Sequence, residues 1–101
     1  MTSTLPIVLP MDKISDLCRK YRVRELSLFG SALRKDFSPR SDIDLLVEFE
    51  PDARIGLVAL SRMQRELEAI LERKVDLVSK RGLKPLIRDE VLSQARILYA
   101  A

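Results

Sequence analysis

The chain has 101 residues, 47% of them apolar and 33% charged, with 18 Lys and Arg against 15 Asp and Glu and a net charge of +3. This size fits one globular domain with a modest core. The absence of histidine removes Ser-His-Asp triads and imidazole metal sites, so any metal would need oxygen ligands, as magnesium, manganese or calcium do. The lone Cys18 leaves no internal disulfide and fits a reducing cytoplasm. No apolar run approaches the roughly 18 residues of a membrane span, and MTSTLPIVLPMDK has neither the basic start nor the long apolar stretch of a signal peptide.

Residues 1–10, with Pro6 and Pro10, read as an extended lead-in to a single domain spanning 1–101. Ile14, Leu17, Cys18 and Tyr21 fall at helical spacing over 11–22. Residues 24–29, RELSLF, alternate as a strand and stop at Gly30-Ser31, a turn that a short helix over 31–35 would follow. Ser38-Pro39 marks a loop. Residues 42–49 alternate again: Ile43, Leu45, Val47 and Phe49 take one face, and Asp42, Asp44, Leu46 and Glu48 the other.

Leu57, Leu60, Met63, Leu67, Ile70 and Leu71 form the stripe of a core-facing helix over 56–73. Residues 74–79, KVDLVS, make a third strand with Val75 and Leu77 on one face and Asp76 and Val78 on the other. Gly82 breaks the chain, and Pro85 suits the first turn of a last helix lined by Ile87, Val91, Ala95 and Leu98. The order helix, strand, strand, helix, strand, helix predicts an α/β (α+β) fold, a small mixed sheet of about three strands with helices packed on one face. Cys18 reads as a small buried hydrophobe, Tyr21 and Tyr99 as packing at helix ends, Glu48 and Glu50 as solvated strand residues, and Asp36 as a loop acid.

The acids carry the chemical signal. Asp42 and Asp44 project from the same strand face, about 7 Å apart at Cα. Two carboxylates that converge to about 4 Å repel by roughly 4 kcal/mol at an effective dielectric of about 20. The pair therefore needs water, a proton, a basic partner such as Arg40, or a bound cation. Asp76, in the middle of a short apolar strand, either joins that site or pairs with Lys74 or an arginine. Three carboxylates on adjacent strands can hold two metal ions about 3.5–4 Å apart. Gly30 allows close backbone approach, and Ser31 either caps the next helix or donates to a phosphate. Arg34, Lys35 and Arg40 lie close enough in sequence to meet polyphosphate charge. Phosphate donors opposite metal ligands are what nucleotidyl or phosphoryl transfer requires.

The stretch LFGSALRKDFSPRSDIDLLVEF resembles the signature of the DNA polymerase beta-like nucleotidyltransferase superfamily: Gly-Ser, then Asp-x-Asp about ten residues on, then a third acid on a later strand. The wording SDIDLLVEF and the short length resemble its minimal nucleotidyltransferase (MNT) branch, whose members are often antitoxins paired with a HEPN-domain toxin. The resemblance implies a palm-like fold, with Gly30 and Ser31 holding the triphosphate of ATP. It also implies metal binding by Asp42, Asp44 and Asp76, with two Mg2+ ions, or Mn2+, as cofactor. Asp76 would also orient or deprotonate the attacking hydroxyl, and Arg34 and Arg40 would meet phosphate charge. The implied reaction moves AMP from ATP to a tyrosine of the HEPN partner and silences its RNase activity, within a homo- or hetero-oligomer in the cytoplasm. The alternative within the same fold is an antitoxin that works by contact alone. A nucleic-acid-binding domain is disfavoured, because the basic stretches carry no interleaved aromatics.

Overall fold

The computed structural model describes residues 9–30, 42–83 and 85–101. Ser31, Arg34 and Arg40, and the expected short helix over 31–35, lie outside them. The elements run α1 (Met11–Lys20), β1 (Val23–Phe29), β2 (Ile43–Phe49), α2 (Leu57–Leu71), β3 (Val75–Ser79), a single 3-10 turn (Lys80–Gly82), α3 (Pro85–Gln94) and β4 (Arg96–Ala100). Among the described residues no helix is long and apolar enough to cross a membrane.

In α1, Ile14, Leu17 and Cys18 are buried, and Asp12 in the first turn and Arg19 and Lys20 in the last complement the helix dipole. Tyr21 ends the helix, and Arg22 turns the chain into β1 with φ +57°. A non-glycine residue in this region needs outside support. The Arg22 guanidinium meets Asp52 at 2.8 Å and Glu50 at 3.4 Å, and its carbonyl accepts from the Glu50 amide at 3.0 Å. Glu50 is thus tied to this turn rather than merely solvated.

The sheet order is β3-β2-β1-β4. β1 runs antiparallel to β2 and β4, while β2 and β3 are parallel. Parallel neighbours need a crossover, which α2 supplies. The core lies between the sheet and helices α1 and α2, and there Leu26, Leu28, Ile43, Leu45, Val47, Met63 and Leu67 are all but sealed from solvent.

Two expectations change. The last helix stops at Gln94, and 96–100 form a fourth strand on the free edge of β1, so Leu98 and Tyr99 belong to a strand. Ile97 and Tyr99 are good strand formers, and an unpaired strand edge beside them outweighs the i, i+4, i+7 spacing of Val91, Ala95 and Leu98. The apolar stripe of α2 also reaches the core only from Ala59 and Leu60 onward, because Leu57 is 81% exposed.

The two sheet edges differ. At β3 the outward amides are capped from α2: Val75 N–H donates to Glu68 Oε2 at 3.0 Å, and Leu77 N–H to Gln64 Oε1 at 3.3 Å. Covering an edge in this way blocks further strand addition. β4, at the other edge, leaves Ile97 60% exposed.

Candidate active site

Alternation along β2 sends Ile43, Leu45 and Val47 into the core and Asp44, Leu46 and Glu48 to the opposite sheet face. Asp42, just before the strand, falls on the same side as Asp44 by that alternation. The pairing of β2 with β3 sets Asp44 directly beside Asp76. Paired residues on neighbouring strands share a face and lie about 4.8 Å apart. The Ile43 amide, between Asp42 and Asp44, donates to the Lys74 carbonyl at 2.9 Å and pins this register where the acids begin.

On the other flank, Phe29 pairs with Asp44 across β1 and β2. Gly30 follows with φ +71°, a conformation glycine adopts at no steric cost. A Cβ there would clash with the Asp44 carboxylate: it would overlap Oδ2 and lie 3.0 Å from Cγ. The missing side chain is therefore the space into which the Asp44 carboxylate fits. Sequence spacing brought Gly30 into the site as a phosphate cradle, whereas the structure also makes it the neighbour that admits Asp44.

Asp76 is exposed and makes no ion pair with Lys74 or an arginine among the described residues. Glu48, on the same face further along β2, is held by Lys80 at 3.4 Å, which corrects its reading as a solvated residue and leaves it outside the acid group.

Oxygen donors on neighbouring strand positions fit a hard divalent cation in kind. As the side chains stand, no three acids among the described residues gather around one point. Convergence of Asp42, Asp44 and Asp76 requires side-chain rotation, and the exposed Asp42 and Asp76 have the room for it. Burial pushes the thiol of Cys18 up to about 11, which keeps it protonated and out of the chemistry.

The sequence model of the nucleotidyltransferase domain matches residues 11–98. The chain belongs to this nucleotidyltransferase family. Among relatives of this nucleotidyltransferase, the protein adenylyltransferase MntA of Thermococcus cleftensis is 38% identical over 79 residues, 78% of each chain. A toxin–antitoxin crystal structure with AMP-PNP superposes with a TM-score of 0.75 at 26% identity, covering 92% of this chain and 75% of that one. A complex of a tri-AMPylated Shewanella oneidensis HEPN toxin with its MNT antitoxin gives 0.67 at 25% identity, covering 90% and 70%. These matches bear out the expected nucleotidyltransferase fold, with four strands in place of about three.

Proposed function

We propose that this nucleotidyltransferase is a metal-dependent protein adenylyltransferase that acts as an antitoxin. It moves AMP from ATP onto a hydroxyl of a HEPN-type partner, a tyrosine by the resemblance in its sequence. The observation that carries this reading is the pairing of Asp44 with Asp76, with Gly30 opened to receive the Asp44 carboxylate.

Asp42, Asp44 and Asp76 would hold Mg2+, or Mn2+, which offsets the negative charge on the triphosphate. The Gly30-Ser31 turn would hold the phosphates, with Arg34 and Arg40 close by. Asp76, on the adjacent strand, would orient the acceptor hydroxyl and take its proton. The hydroxyl oxygen then bonds to the α-phosphorus, the α–β bridging bond breaks, and pyrophosphate leaves. The relatives named above support the reading, since one is called a protein adenylyltransferase and another is a complex with an AMPylated toxin.

The test is label transfer to a candidate HEPN-type partner protein, using ATP labelled at the α or the γ phosphate, with magnesium and without it. Label arriving from the α position alone, dependent on the metal and lost in Asp42→Asn, establishes the reaction. Label from the γ position makes the chain a kinase. A tight complex with no transfer from either position makes it a contact-only antitoxin.

A further inference from the structure

The acids occupy the start of β2. At its other end lies a cavity of about 470 Å³ between β2, the 50–56 loop and the first turn of α2, floored by Phe49, Ile55 and Leu60. Asp44 and Phe49 are five strand steps apart, which is about 17 Å. Leu57 lines this cavity and also a second hollow of about 270 Å³ shared with Val58, Arg62 and Arg65.

Leu57 is 81% exposed and Val58 75%, and they are adjacent, whereas Ile97 is the one other large apolar side chain so exposed among the described residues. Single exposed apolar residues need no explanation, but an apolar pair set between two concavities marks a contact surface. Its rim is cationic. Glu48 is taken up by Lys80 and Glu50 by Arg22. Arg62, Arg65 and Arg81 make no ion pair among the described residues; the charge of Arg62 reaches Glu66 and Tyr21 through space, and the Glu66 carboxylate is already bound by Tyr21 and Lys20.

We propose that this end of the molecule docks the partner protein through a segment carrying an apolar anchor flanked by acidic residues. The anchor packs on Leu57 and Val58, and the acids face Arg62, Arg65 and Arg81. The proposal rests on the adenylyltransferase reading and extends it. A partner held at one end of β2 keeps its acceptor hydroxyl near the acids at the other, at high effective concentration. Binding and chemistry then depend on separate residues.

The experiment measures the Kd of the chain for the HEPN-type partner protein used in the label-transfer test, and then KM and kcat for α-labelled AMP transfer to that protein. Both are run for wild type, for Leu57→Ser with Val58→Ser, and for Arg62→Glu with Arg65→Glu. All four positions are surface residues, so circular dichroism is expected to report intact folds. Kd and KM rise at least tenfold in both variants and kcat stays within about twofold. Wild-type affinity falls with added salt more steeply than that of the arginine variant. Unchanged Kd in both variants overturns the surface, as does a lower kcat at constant KM. A self-associated chain that becomes monomeric in the Leu57 and Val58 variant also overturns it, by giving the patch to a second copy. Tight wild-type binding without label transfer sinks the transferase reading alone, because the Kd comparison still tests the patch.

Discussion

The two faces of β2 have opposite chemistry. Ile43, Leu45 and Val47 on one face are no more than 1% exposed, whereas on the other Asp44 and Glu48, on either side of a buried Leu46, are only half-buried. The faces differ by a single step along the chain, because successive strand residues point opposite ways. The core face holds the register, and the register places Asp44 beside Asp76. Stability and chemistry thus occupy alternate positions of one strand, and single substitutions should separate them.

The largest separation is expected at Asp44. Asp44→Asn should lower AMP transfer at least a thousandfold, about 4 kcal/mol of transition-state stabilisation. It should change Tm far less than it changes the rate, since Asp44 lies on the face of β2 opposite the core and the amide keeps the side chain's shape. A comparable fall in Tm would mean that Asp44 is structural. On the other face, Leu45→Ala should cost about 3 kcal/mol in urea unfolding, as expected for truncating a fully buried leucine. Activity at low temperature should persist in the fraction that remains folded. Gly30→Ala joins the two effects. Its positive φ and the clash with Asp44 should cost about 1–2 kcal/mol of stability, and the displaced carboxylate should slow transfer ten- to a hundredfold. Rates unchanged by Gly30→Ala would show that Asp44 works from another position.

A smaller effect tests the register from outside. Gln64→Ala removes the acceptor of the Leu77 amide and should cost about 1 kcal/mol. Hydrogen exchange at Leu77 should quicken while that at Val75, bonded to Glu68, changes less. The smallest effect is alkaline. Burial, aided by its hydrogen bond to Glu66, pushes Tyr21 up to about 12 from an ordinary 10.0, and burial pushes Cys18 up to about 11 from 9.0. A raised pKa in the folded state means that the stabilisation is complete below the ordinary value and is lost as pH climbs through the raised one. Urea midpoints should therefore hold to about pH 9 and decline towards pH 12, and Tyr21→Phe should shallow that decline.

Much of this was legible in the residues. Strict alternation over 42–49 marked both faces of β2, and Val75 and Leu77 marked the inner face of β3 around Asp76. The side-by-side pairing of Asp44 with Asp76 was not legible, because register is set by hydrogen bonds between strands that α2 separates in sequence. The residues of β4 fit a helix as well as a strand because short apolar segments satisfy both periods, and their strand form depends on the open edge of β1. Leu57 fits the helical stripe, but Leu57 and Val58 at the start of α2 extend past the end of the core, where spacing says nothing about cover. Ser31, Arg34 and Arg40 fall outside the described residues, so their roles rest on sequence resemblance.

The β2-α2-β3 crossover has an evolutionary consequence. Asp42, Asp44 and Asp76 all lie on or beside a run of consecutive elements, 42–79, closed by one helix whose own side chains finish the β3 edge. The acid geometry is therefore inherited as one continuous piece of chain. Insertions before β1 or after β3 would leave that piece untouched. The periphery can then be lengthened, trimmed or refitted for new acceptors while the acid trio stays in place.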